Sequence, residues 1–141
     1  MSPSIEPGVF MKPIFKGVDC YLVKVGSLDE GLDFYVNKLG LKLNWKSKSQ
    51  AGLLMSESGA EMVLSTEVGP ETDLLVDDVR EAFGRLIEAG ATVVKAPFEI
   101  QIGLCAVLQD PWGNELVILD LSKGLLKMDS EKNVIGNRPV T

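Results

Sequence analysis

Residues 18–25 read Val-Asp-Cys-Tyr-Leu-Val-Lys-Val, an apolar run with strand-like character. The period then changes. Leu28, Leu32, Tyr35 and Leu39 recur at helical spacing, Ser27 stands at the N-cap position with Glu30 three residues on, and Gly40 ends the run. These marks predict a helix over 28–39. Strand-like runs follow at 41–46, 53–56 and 61–65, with Gly59 in the turn between the last two.

The same order then returns. Residues 72–76 form a short apolar strand, Asp78 caps a helix predicted over 79–89, and Glu81 again holds the third helical position. Val79, Phe83, Leu86 and Ile87 make the apolar stripe, and Gly90 ends it. Strands are predicted at 92–95, 104–109 and 115–121. The turn Asp110-Pro111-Trp112-Gly113-Asn114 separates the last two. Ser27 corresponds to Asp78, Leu28 to Val79 and Gly40 to Gly90. Gly59 before Glu61-Met62-Val63-Leu64 corresponds to Gly113 before Glu115-Leu116-Val117-Ile118. This is an internal repeat of strand, helix and three strands, about 51 residues long.

The predicted organisation is a Pro-, Ser- and Gly-rich leader at 1–13 and a folded body at 14–122. The body divides into one unit at about 15–66 and a second at about 70–122. A tail follows at 123–141, in which Leu125, Leu126 and Met128 anchor only the first turn and the rest is expected to be mobile. A chain of 141 residues with 45% hydrophobic residues can bury a core without metal or disulfide staples. The formal net charge of -6 argues against a nucleic-acid partner. No apolar run approaches the roughly 18 residues of a membrane span, and no signal peptide is visible. A cytoplasmic protein is expected. Cys20 and Cys105 lie in apolar runs without metal-ligand spacing, which suits two reduced, buried thiols. There is no histidine. That removes the commonest general base and every His-ligated metal site.

Residues 27–41, Ser-Leu-Asp-Glu-Gly-Leu-Asp-Phe-Tyr-Val-Asn-Lys-Leu-Gly-Leu, resemble the first helix of the vicinal oxygen chelate superfamily. That superfamily includes glyoxalase I, the bleomycin-resistance proteins and the extradiol dioxygenases. Asp77-Asp78-Val79 with Glu88-Ala89-Gly90 resembles its second helix, and Asp110–Asn114 the turn before its last strand. The resemblance implies an α+β fold: two βαβββ repeats with curved mixed sheets, and a homodimer. It also implies four metal-ligand positions, which fall here on Cys20, Val63, Glu71 and Val117. Two valines leave too few donors for zinc, and the set lacks the imidazole that nickel or iron would take. No metal and no other cofactor is therefore expected. Glu61 and Glu115 are read as facing away from this set.

Alternation from Cys20 places Leu22 and Lys24 on one face, and alternation from Glu71 adds Asp73 and Leu75. Val63 and Val117 extend it, and Trp45, Met55, Phe98 and Trp112 are candidates for its rim. The expected site is thus an apolar cup with a few charges, suited to a hydrophobic or aromatic organic ligand. The favoured function is a metal-independent small-molecule binder of the bleomycin-resistance type. The alternative is a superfamily enzyme with an altered centre, using Glu71 or Asp73 as base. An interaction module without a small ligand is the third reading.

Overall fold

The computed structural model describes residues 12–140. Apart from Lys12 and Pro13, the expected leader at 1–13 lies outside the described residues. The first unit runs β1 (Gly17–Lys24), α1 (Leu28–Leu32), β2 (Lys42–Lys46), β3 (Gln50–Leu54) and β4 (Glu61–Ser65). The second runs β5 (Glu71–Leu75), α2 (Val79–Ala89), β6 (Thr92–Ile100), β7 (Gly103–Gln109) and β8 (Glu115–Leu119). Their strands join in one eight-stranded sheet of order β2-β3-β4-β1-β5-β8-β7-β6. Strand β1 pairs parallel with β4, and β5 pairs parallel with β8. An antiparallel β1–β5 seam links the two units. The fold is therefore the α+β architecture of two βαβββ repeats.

Both helices start where the capping residues stand. Ser27 Oγ accepts from the Glu30 amide at 3.1 Å, and Asp78 Oδ1 accepts from the Glu81 amide at 3.0 Å. Helix α2 ends at Gly90, whose φ of 111° a glycine adopts without penalty. Both helices cover the same face of the sheet. Helix α2 lies over Ala106, Leu108 and Ile118, and α1 over Ala51, Leu53 and Leu64. Asp120 ties the second unit together. Its carboxylate accepts from the amides of Val79 and Leu104 at 2.9 Å and from the Ser122 hydroxyl at 2.7 Å. Burial alone would raise its pKa, but these donors outweigh burial and lower it.

Four elements differ from expectation. The first helix continues past Leu32 as a π-helical turn, Asp33–Lys38, in which the Leu39 amide reaches back to the Phe34 carbonyl. The wider turn keeps Leu32, Tyr35 and Val36 together on the sheet. Strand β3 begins earlier, at Gln50, because its partner β4 continues to Ser65. Strand β6 runs on to Ile100 through two register shifts. It tolerates Pro97 because it is an edge strand. The stretch after Ser122, expected to be mobile beyond its first turn, instead forms a hairpin of β9 (Leu125–Met128) and β10 (Val134–Arg138). It folds back because Leu126, Met128 and Val134 find apolar partners on the sheet face away from the helices.

Candidate functional site

The β1–β5 seam runs down the middle of that second face. Pairing sets Cys20 beside Asp73 and Leu22 beside Glu71. On the flanks Leu22 neighbours Val63, and Asp73 neighbours Val117. The structure thus brings Cys20, Leu22, Val63, Glu71, Asp73 and Val117 onto one surface. Trp45 is also there, but as buried floor and not as rim. Its indole N–H donates to both Glu61 oxygens at 3.1 Å, and the Asn44 amide donates to Glu61 at 2.6 Å. The ring lies against Gly52, where a Cβ would collide with it. Glu61 therefore does not face away. It stands two residues before Val63, and a separation of two returns to the same face.

Lys24 follows Leu22 on this face, at the exposed end of β1. Of the other rim candidates, Met55 is half-buried outside the apolar clusters of this face. Phe98 pairs with Cys105 and so stands at the outer edge of this face, exposed on edge strand β6 beneath the Lys95 ammonium; Trp112 is 83% exposed in its turn and is not brought in. The cup itself is largely filled. Leu126, Met128 and Val134 cover Cys20, Leu22, Trp45 and Val63. On the other side Leu75, Ile100 and Ile102 cover Cys105, Val107, Val117 and Leu119.

Carboxylates dominate what polar chemistry is left. The Cys20 thiol donates to Asp73 Oδ2 at 3.4 Å, and Asp73 Oδ1 is buried without a donor. Burial, then the neighbouring Glu71 carboxylate, push Asp73 up to about 8. Asp73 therefore keeps its proton at neutral pH. Burial also raises Asp19, with the Glu61 charge adding to it. Burial and the charges of Asp73 and Asp19 push the Cys20 thiol far up. Burial with the same acidic neighbourhood takes Cys105 up to about 12. Both cysteines are therefore neutral thiols, which are poor nucleophiles.

An open hollow of about 200 Å³ remains at one end of the seam, lined by Pro70, Glu71, Thr72, Glu115 and Val117. A larger one, about 470 Å³, lies between residues 26–29 and 46–48, away from the acidic seam. The smaller hollow matters more here, because it holds two carboxylates and meets the Asp73 pair. Sequence reasoning missed Asp19, Glu61 and Glu115. The signal available for the last two was their spacing of two from Val63 and Val117.

The residues do not fit a family-type metal centre. Valine at 63 and 117 offers no donor atom. Among the described residues no three His, Cys, Asp or Glu side chains are grouped to hold an ion.

A curved mixed sheet of two βαβββ units, with its open face centred on the seam between them, defines a glyoxalase-like protein. The chain belongs to the glyoxalase-like domain family, whose sequence pattern matches residues 21–119. No curated protein matches it. Among solved structures it is similar to methylmalonyl-CoA epimerase from Mycobacterium tuberculosis. The two share 17% identity and a TM-score of 0.66, over 82% of this chain and 94% of that one. It is also similar to a protein described as NAD-dependent benzaldehyde dehydrogenase from Legionella pneumophila, with 22% identity and a TM-score of 0.60 over 73% and 98%. Homoprotocatechuate 2,3-dioxygenase from Brevibacterium fuscum matches with 23% identity and a TM-score of 0.55. That match covers 77% of this chain but 37% of the dioxygenase. These likenesses define the vicinal oxygen chelate fold, which carries many activities.

Proposed function

We propose that the protein is a metal-independent binder of a small organic molecule, working as a homodimer in the cytoplasm. The observation that carries this reading is valine at positions 63 and 117, which puts apolar surface where a metal-using relative needs donors. The ligand lays an apolar or aromatic face on Val117 and offers hydrogen-bond donors or positive charge to Glu71 and Glu115. Native mass spectrometry of gently desalted protein tests it, followed by a thermal-shift panel of aromatic compounds and amines. A dimer, metal-free or carrying an organic adduct, is expected. Ligand shifts should shrink in Glu71→Gln. A stoichiometric metal, or silence across the whole panel, would overturn it.

A second reading has its own support, the proton held by Asp73 beside Glu71. An acid that stays protonated to about pH 8 can pass a proton to a bound carbonyl compound while the neighbouring Glu71 carboxylate takes one from the carbon beside that carbonyl. The test is deuterium uptake from D2O by any ligand the panel identifies. Uptake that Asp73→Asn abolishes, with binding kept, would make the protein an enzyme; no uptake would leave it a binder.

A further inference from the structure

The larger hollow, of about 470 Å³, lies across the sheet from the cup. Strand register fixes its side. Trp45 pairs with Gly52 and joins the floor of the cup. The next residue, Lys46, pairs with Ala51, which packs under α1. Successive strand residues point to opposite faces. The hollow is walled by the start of α1, by the β2–β3 turn and by Asn133 of the hairpin. It shares no residue with the Glu71–Val117 hollow.

Its chemistry is also different. Lys46 and Lys48 stand two residues apart at the β2–β3 turn, which the Ser47 amide closes on the Gln50 carbonyl at 2.8 Å. The Lys46 amide donates to the Lys132 carbonyl at 2.8 Å, and the residue is half-buried. Among the described residues neither ammonium forms an ion pair, whereas Lys12, Lys16, Lys38 and Lys123 do. Residues 38–48 carry four lysines and no acid, in a chain whose net charge is -6. Across the hollow, Ser27 Oγ accepts from the Glu30 amide at 3.1 Å, which leaves its own proton to donate. Two acids border the space, Asp29 in the wall and Glu30 close to Gly26. Asp129 is near Lys46, but its oxygens accept from the Glu131 and Asn133 amides of its own turn. An occupant must therefore bring negative charge to the lysines and hydrogen-bond donors to the acids.

We propose that this hollow binds a phosphate monoester of a small polyol. The phosphate sits between Lys46 and Lys48 and accepts from the Ser27 hydroxyl. Two ammonium groups match a dianion, where a carboxylate would leave one of them unpaired. The polyol hydroxyls donate to Asp29. A volume of about 470 Å³ is within the usual range for a small-molecule site. The site goes beyond the binding reading of the cup and stands whether or not the cup takes a ligand.

The test is a titration of the full, isotope-labelled chain at constant ionic strength, followed by amide NMR shifts. The probes are glycerol 3-phosphate, glucose 6-phosphate, inorganic phosphate and glycerol. At least one ester should shift the amides of residues 26–29, 46–48 and 133, saturate at millimolar concentration and leave Glu71, Glu115 and Val117 unmoved. Inorganic phosphate should bind more weakly, and glycerol should not bind. Lys46→Gln with Lys48→Gln should weaken the ester about tenfold or more, with the remaining peaks in place to show that the variant is folded. Asp29→Ala should weaken the ester severalfold and leave inorganic phosphate unchanged or tighter. Silence from both esters, binding that survives the double lysine substitution, or shifts confined to the Glu71–Val117 hollow would overturn the proposal. Inorganic phosphate binding as tightly as the esters would overturn it too, since the hollow would then recognise a bare ion and no polyol.

Discussion

Asp73 is where burial, charge and pairing meet most sharply. Its ordinary pKa of 3.8 rises to about 8 through burial and the neighbouring Glu71. The folded chain then keeps a proton that the unfolded chain has released. Stability from this proton is fully present below about pH 4 and is lost as pH rises toward 8. Asp120 has the opposite sign: its lowered pKa gives stability that is lost only in acid, below its ordinary 3.8. Urea midpoints should therefore fall between pH 5 and pH 8.5. Asp73→Asn, which has no titrating proton at this position, should flatten that fall. A midpoint that rises over this range in the wild type would refute the retained proton. Gly52 is a second single-residue constraint, since a Cβ there meets the Trp45 ring. Gly52→Ala should cost about 1–3 kcal/mol by overpacking. In a Trp112→Phe background it should also change the emission of Trp45, so fluorescence-detected unfolding reads both effects.

At the scale of elements, the repeat was legible because its signals are local. Ser27 and Asp78 cap, Gly40 and Gly90 stop, and the apolar periods between them differ. The hairpin was not legible by that route, since Leu-Leu-Lys-Met is too short to show a period. Its turn carried a signal all the same. Asp110 Oδ1 accepts from the Trp112 and Asn114 amides, and Oδ2 from the Asn114 side chain. Asp129 does the same with Glu131 and Asn133. An Asp and an Asn four residues apart thus close both hairpins, and the predicted first one could have pointed to the second. Of the three positions at which the two turns differ, the fourth residue matters most for the backbone. Gly113 adopts φ of 87° freely, whereas Lys132 is held at 72°, which an L side chain resists. Lys132→Gly should therefore stabilise the β9–β10 hairpin by about 0.5–1 kcal/mol, after allowing for the greater freedom of glycine when unfolded. Amide hydrogen exchange in β9 and β10 should slow accordingly. Faster exchange would mean that Lys132 makes a contact worth more than the strain.

For the whole molecule, what matters is that two like units present equivalent positions to one seam. Cys20 and Glu71 are related by the repeat, as are Leu22 with Asp73 and Val63 with Val117. The partial legibility of the site follows. Alternation placed the strand residues correctly, but the fill of the cup depends on the hairpin and on Ile100 and Ile102, which no strand pattern places. The same geometry offers a direct test of whether the two valines keep a metal out. Cys20, Asp73 and Val117 lie in a row across β1, β5 and β8, with Glu71 two residues from Asp73. If missing donors are the whole reason, restoring them should restore binding. Cys20→His with Val117→Glu would add an imidazole and a carboxylate to Glu71. Without metal this variant should melt below the wild type, because it buries a new acid. With Ni²⁺ or Zn²⁺ at about 100 times its dissociation constant it should gain about 5–10 °C. The wild type should move by less than about 1 °C under the same conditions. A variant that is folded by circular dichroism yet indifferent to both ions would show that positions 20, 71 and 117 do not converge. The correspondence of these positions with a metal-using centre would then fail, and so would the reading of the two valines as the residues that removed it.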